Sequence, residues 1–271
     1  MAAPSRSSAP AGASPDYGRF CAGVKTLCGV ELGHYRPAQM ERRLRSFAER
    51  AGHSDLDAYL AQLRRDVTAR DAFLDRMTIN VSELFRNPER FAELERDHLP
   101  ALAAGARAGA LRVWSAGCSY GAEPYSLAIL LRELAPRAPH EVLATDIDRT
   151  VLARAQEGRF SDQDLRSVTP ARRARWFEET AEGPRAVAEL RGAIRFSRLD
   201  LLSDPSPGGC DLILCRNVVI YFNEDAKDRL YAGFFRALRP GGILFVGSTE
   251  RINRPEAMGW EKAGTFFYRR P

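Results

Sequence analysis

The chain has 271 residues, of which 45% are hydrophobic and 28% charged, with a formal net charge of +5. That balance supports a buried core and excludes a wholly disordered chain; the length suits one large domain, or a medium one with a smaller companion. The positive balance favours an acidic partner without choosing between nucleic acid, an anionic membrane and an acidic protein. The five cysteines, Cys21, Cys28, Cys118, Cys210 and Cys215, are odd in number and scattered, which reads as free thiols rather than a disulfide framework. Cys21 and Cys28 are too far apart for a zinc knuckle, and no histidine pair accompanies them, so no metal is expected. No stretch has the length of a membrane-spanning helix and the N-terminus carries no signal-type apolar run. A cytoplasmic protein without membrane insertion is expected.

Residues 1–16 are rich in Ala, Pro, Ser and Gly and read as a disordered tail. Residues 17–88 follow as a helical domain and linker. Met40, Leu44 and Phe47 recur at helical spacing and should face a core, with Arg42 and Arg45 pointing away and Arg43 on the flank. A second helix is expected over 55–65, with Ser54 or Asp55 as its cap, and a third over 67–77. The larger remainder, 89–271, changes period. Short apolar runs at 111–116, 141–145, 211–215 and 243–246 read as buried strands, and 265–269 as a last one. Helices are expected over 123–134, 150–156 and 225–238. Strands alternating with helices imply an α/β fold with a doubly wound parallel sheet. Residues 158–195 interrupt the alternation as an insert.

The first strand runs into Trp114-Ser-Ala-Gly-Cys-Ser-Tyr-Gly121, small residues that let a backbone turn sharply and approach a ligand. Alone this turn does not separate a nicotinamide cofactor from S-adenosylmethionine. The second strand ends in Ala144-Thr-Asp-Ile-Asp148. Asp146 lies about 25 residues past Gly121, where an acid can accept from a ribose diol, whereas Asp148 suits a helix cap. A later strand ends in Cys215-Arg-Asn-Val-Val-Ile-Tyr-Phe222, placing Arg216, Asn217 and Tyr221 at the mouth of the sheet. The turn Leu238-Arg-Pro-Gly-Gly242 reads as structural. The segment 78–88, dense in hydrogen-bonding residues, lies at the domain junction and could fold over a cofactor or stand as a solvated loop.

Together these segments resemble the chemotaxis receptor methyltransferases of the CheR type. That family carries motifs similar to T-x-N-x-T-x-F-F-R, W-S-A-x-x-S-x-G-E-E-P-Y-S, T-D-I-D, C-R-N-V-x-I-Y-F and L-x-P-G-G-x-L-x-x-G-x-x-E. They stand here at 78–86, 114–126, 145–148, 215–222 and 238–250, in the same order. The resemblance implies an S-adenosylmethionine-dependent methyltransferase fold with an N-terminal helical bundle and a small inserted β-subdomain. It implies cofactor contacts by Asn80, Ser82, Arg86, Glu123, Asp146, Asp200, Leu201, Asn217 and Val218, and places Arg86 and Tyr221 near the transferred methyl. In some members the subdomain docks a receptor-tail peptide. The chain departs from the pattern at Ser82, Leu84, Tyr120, Ala122 and Asp200, where the family has Thr, Phe, Thr, Glu and Asn.

The reaction the resemblance implies is methyl transfer from S-adenosylmethionine to glutamate carboxylates of chemoreceptors, leaving S-adenosylhomocysteine. A carboxylate is already ionised at neutral pH, so the four histidines need no catalytic role. Arg42, Arg43 and Arg45 form a basic helix face that could meet an acidic receptor helix; no nucleic-acid partner is expected. Two rival readings share the fold. One is a methyltransferase acting on another substrate. The other is a non-catalytic module that binds S-adenosylmethionine, for which Ala122 and Asp200 speak.

Overall fold

The computed structural model describes residues 14–28, 30–77 and 82–271. The chain forms two compact units. One takes the residues up to Met77 together with Tyr221–Lys227; the other takes Thr78–Ile220 and Asp228–Pro271.

The first unit is helical: α1 (Pro15–Cys28), α2 (Pro37–Arg50), α3 (Leu56–Arg65) and α4 (Val67–Met77). Met40, Leu44 and Phe47 are buried, as their spacing predicts. The core is aromatic. Phe20 stacks on Tyr59 with ring centroids 5.8 Å apart, and Phe73 meets both edge-on at 5.9 and 6.0 Å. Gly23 lets α1 approach α3 closely, since a Cβ there would lie 2.5 Å from Leu60 Cδ2. Asp55 caps α3 by accepting from the Ala58 N–H at 2.8 Å.

α1 begins at Pro15 rather than Tyr17. The reason is Arg45, which donates to both Asp16 oxygens at 3.0 and 3.1 Å, to Ser14 Oγ at 2.7 Å and to Glu41 Oε1 at 2.7 Å. A guanidinium fork satisfied on this scale orders the segment that carries its acceptors. Ser14, Pro15 and Asp16, which the sequence assigned to the tail, are therefore ordered, and residues 1–13 lie outside the described residues. Arg45 does not belong to an outward basic face; it is turned into the unit's own carboxylates.

The second unit opens with α5 (Pro88–Glu93), a π-helical turn (Leu94–His98) and α6 (Leu99–Ala104), none expected from the sequence. Then follow β1 (Arg112–Ala116), α7 (Ala122–Leu134), β2 (Glu141–Asp146) and α8 (Arg149–Glu157). The insert supplies α9 (Pro170–Trp176), an antiparallel hairpin of β3 (Phe177–Thr180) and β4 (Gly183–Ala186), and α10 (Ala188–Gly192). The chain continues with β5 (Ile194–Arg198), β6 (Cys210–Cys215), α11 (Glu224–Ala237), β7 (Leu238–Val246), β8 (Glu261–Lys262) and β9 (Phe267–Arg269).

The main sheet has the order β5-β2-β1-β6-β7-β9-β8. β5, β2, β1, β6 and β7 are parallel, while β9 and β8 run antiparallel at one edge, so the sheet is mostly rather than wholly parallel. The strand order reverses between β1 and β6. The carboxyl ends of two strands diverge there and leave a crevice, the position where open α/β sheets bind ligands. The Pro240-Gly241-Gly242 turn lies inside β7: Leu238 pairs with Cys210 and Ile243 with Leu212, and the residues between bulge out.

The Arg45 pairing holds the Asp16 carboxyl well below the usual carboxylate range. A depressed folded pKa stabilises above the unfolded value of about 3.9 and is lost as pH falls below it. Asp16→Asn is therefore expected to lower stability at neutral pH and to flatten its fall in acid, the variant and the parent converging at the acid end where Asp16 is protonated. Denaturant melts at stepped pH check this.

Candidate active site

The turn after β1 is pinned to the end of β2. The Gly117 and Cys118 N–H groups donate to the Thr145 carbonyl at 2.8 and 2.9 Å, and Trp114 Nε1 donates to Thr145 Oγ1 at 2.9 Å. Gly117 has φ +81°, and a Cβ there would sit 2.5 Å from Val218 Cγ2. Only glycine fits that conformation against that neighbour. Ser119, also left-handed at φ +50°, donates its N–H to Asp146 Oδ2 at 2.9 Å.

Asp146 is buried at the end of β2 and also accepts from the Asp148 N–H at 3.0 Å. Burial raises its pKa, and the backbone N–H groups of Asp148 and Ser119 oppose the rise. Among the described residues no cation pairs with it. Asp148 caps α8 by accepting from Thr150 N–H at 2.8 Å and Val151 N–H at 3.4 Å. The two acids thus divide as their positions suggest: one caps a helix and the other keeps accepting capacity at the crevice.

Arg216, at the end of β6, is the central buried cation. Its Nη2 donates to the Arg86 carbonyl at 2.8 Å and to Asn87 Oδ1 at 2.7 Å. Its guanidinium lies 5.2 Å from the Phe91 ring centroid and 4.6 Å from that of Phe245. Nη1 is 3.8 Å from Glu123 Oε2, and Glu123 Oε1 accepts from Ser115 Oγ at 2.7 Å. Burial pulls the Arg216 pKa down and pushes that of Glu123 up; each charge then favours ionisation of the other. The Arg86 charge acts on both, disfavouring ionised Arg216 and favouring ionised Glu123.

Asn217 follows in a left-handed conformation, φ +62°. Its N–H donates to Glu250 Oε2, which also accepts from Gly247 N–H at 3.0 Å. Glu250 is buried, and burial raises its pKa against those backbone donors. Its carboxylate therefore sets the backbone that presents Asn217 and packs Val218 on Gly117. Sequence reasoning assigned no role to Arg216 or Glu250; the available signal was that Glu250 closes the last motif.

The junction segment is described from Ser82 onward, so Asn80 lies outside the described residues. Phe85 and Asn87 flank Arg86 and are both left-handed, φ +54° and +61°. Such a conformation is unusual for Phe and costs about 1–3 kcal/mol. It is held by Ser126 Oγ accepting the Phe85 N–H at 2.8 Å, by the Phe91 ring at 5.5 Å and by Arg172 over the Phe85 ring at 4.9 Å. Arg86 is half-buried. Tyr221 groups with the helical unit, and its side chain lies outside the described residues. Asp200 is engaged by its own turn: Oδ1 accepts from Leu202 N–H at 2.9 Å and Oδ2 from Ser203 Oγ at 3.1 Å. Leu201 beside it is half-buried.

The model of the CheR methyltransferase all-alpha domain matches residues 15–78, and that of the CheR methyltransferase SAM binding domain matches residues 80–265. The chain belongs to the CheR methyltransferase family. A chemotaxis protein methyltransferase of Listeria innocua is 39% identical over 253 residues, covering 93% of this chain and 96% of that protein. Those of Pseudomonas aeruginosa and Escherichia coli are 32% and 36% identical, covering 89% and 80% of this chain and 92% and 76% of theirs.

This CheR-family chain is an S-adenosylmethionine-dependent methyltransferase, and its crevice fits that group. A narrow glycine turn, a buried carboxylate without a counter-cation in Asp146, and a second acid in Glu123 offer acceptors for hydroxyl and ammonium donors. Among the described residues no group of three or more His, Cys, Asp or Glu side chains could hold a metal ion. Cys21, Cys28, Cys118, Cys210 and Cys215, all among the described residues, form no disulfide.

Asp148→Ala should lower stability by about 1 kcal/mol through loss of the cap while leaving cofactor affinity nearly intact. Asp146→Asn should do the reverse, weakening cofactor binding about tenfold or more. Paired denaturant melts and calorimetric titrations with S-adenosylhomocysteine test both.

Proposed function

We propose that the protein methylates glutamate side-chain carboxylates of chemoreceptor cytoplasmic domains, forming methyl esters in the cytoplasm. The observation that carries this reading is the left-handed segment that holds Arg86 beside the Glu123–Arg216 pair, at the carboxyl ends of β1 and β6. When bound, S-adenosylmethionine supplies an electrophilic methyl on a sulfonium and is converted to S-adenosylhomocysteine. Asp146 would hold its ribose, Glu123 its amino-acid end, and Asn217, Val218, Ser82, Asn80 and Leu201 would enclose the rest. Asp200, occupied by its own turn, would contribute mainly through the shape it gives that turn.

An acceptor glutamate has a reference pKa near 4.3 and arrives ionised, so no side chain has to remove a proton. What the chain supplies is alignment and exclusion of water. Arg86 offers a charged fork for the acceptor carboxylate, with its backbone fixed by Arg216. Tyr221 would shape the methyl pocket.

The decisive measurement is transfer of labelled methyl to a receptor cytoplasmic fragment, with release of the label as methanol on mild base. Esters release it; amide and amine products do not. Arg86, which would also contact the cofactor, has its larger effect on transfer: Arg86→Ala should lower kcat/KM by about 100-fold, with a smaller loss of S-adenosylhomocysteine affinity. Full turnover by that variant would remove Arg86 from the reaction. Binding of the cofactor without transfer to any receptor fragment would favour the non-catalytic module.

Of the three α2 arginines we take Arg42 as the proposed receptor contact. It is exposed, while Arg45 is committed to Asp16 and Glu41, and Arg43 lies over the Phe47 ring at 5.4 Å. Receptor KM should rise with ionic strength, and Arg42→Ala should blunt that dependence. An unchanged salt slope would exclude Arg42 as the contact.

A further inference from the structure

Tyr120 stands in the turn after β1 where the family pattern has Thr, and the reaction outlined above gives it no part. It is buried, and its hydroxyl proton is shared between the Ser82 carbonyl and Asp164 Oδ1, the latter at 2.9 Å. Asp164 belongs to a turn of the insert. Its own carbonyl accepts the Leu84 N–H at 2.9 Å, and Oδ2 accepts from Ser161 N–H and Oγ, both at 2.8 Å. Between these contacts Glu83 pairs with Arg166. Three successive residues, Ser82, Glu83 and Leu84, are thus tied to one turn over 161–166, and Tyr120 is the side chain that joins that turn to the β1 crevice.

The next residue, Phe85, is the strained one. A left-handed phenylalanine persists only where both flanks are held. Downstream, Arg216 grips the Arg86 carbonyl and the Asn87 side chain. Upstream, the Tyr120–Asp164 clasp is the corresponding hold. A threonine hydroxyl at position 120 is too short to replace the phenol oxygen at that bridge.

The geometry points to Tyr120 as a positioning residue for methyl transfer: its phenol locks segment 82–85 to the turn 161–166 and so fixes the backbone that presents Arg86. This assignment rests on the reaction proposed above. It makes the insert a structural partner of the reacting end of the crevice, whatever else the insert binds.

The test uses the full chain with S-adenosylhomocysteine bound and compares Tyr120→Phe, Asp164→Ala and Asp164→Asn, the last of which keeps acceptor oxygen for the phenol. Tyr120→Phe and Asp164→Ala should each speed amide exchange across 82–87 about tenfold and lower kcat by a similar factor, with KM for S-adenosylmethionine changed less than about twofold. Asp164→Asn, which keeps the phenol's acceptor but sets its NH2 against the Ser161 N–H, should restore part of both relative to Asp164→Ala. Wild-type exchange or wild-type kcat in Tyr120→Phe overturns the assignment, as does a loss in which kcat and cofactor affinity fall together. Should Tyr120→Phe fail to fold, the contrast between the two Asp164 variants decides. If the wild-type chain binds cofactor but methylates no receptor fragment, the proposed reaction fails, and the exchange rates still decide whether the clasp exists.

Discussion

One buried guanidinium organises the crevice. Arg216 touches the junction segment through Arg86 and Asn87, α7 through Glu123, and the core through the rings of Phe91 and Phe245. A charge taken so far out of water is tolerated only when hydrogen bonds and a counter-charge surround it, and removing one partner of such a set typically costs about 3–5 kcal/mol. The arrangement is therefore intolerant of partial assembly. α5 must be in place to bring Phe91, β7 to bring Phe245, and the junction segment to bring its carbonyl. The crevice is thus complete only where α5, β7 and the junction segment are all in place around Arg216.

Backbone conformation carries as much of the site as side chains do. Phe85, Asn87, Ser119 and Asn217 are all left-handed, and all lie on the loops that converge at the reversal of strand order. Each is restrained by a specific partner: Ser126 for Phe85, Arg216 for Asn87, Asp146 for Ser119 and Glu250 for Asn217. The carboxylates of Asp146 and Glu250 thus act first on the protein's own N–H groups. A chain built this way meets its ligand with its loops already ordered, which reduces the entropy lost on binding.

The sequence disclosed β1, β2, β6 and the end of β7, because strands buried on both faces read as short apolar runs; the parallel strand β5, mostly exposed, gave no such run and its start fell inside the expected insert. The Asp148 cap, the α3 cap at Ser54 or Asp55 and the apolar stripe of α2 were equally readable, being local. The helices between Pro88 and Ala104 were not. Proline opens both α5 and α6, and a π-helical turn between them breaks the 3.6-residue period. Within β7 the Pro-Gly-Gly bulge read as a turn before a shorter strand. Contacts across large sequence separations, such as Asn217 with Glu250 or Tyr120 with Asp164, leave no periodic trace, and the family motifs name the residues without naming these partnerships. Asp200 shows the converse: a residue aligned with a ligand contact is engaged by its neighbours Leu202 and Ser203.

The edge strand β9 has a further effect. Phe267–Arg269 covers the Ile243–Phe245 stretch of β7, and Arg270 adds hydrogen bonds back to Gly242 and the end of α11. Without those few residues, β7 would offer a bare, apolar ladder of unpaired amides and carbonyls to any neighbouring molecule. Loss of the Phe267–Arg269 pairing would therefore favour edge-to-edge association of the sheet with a second molecule.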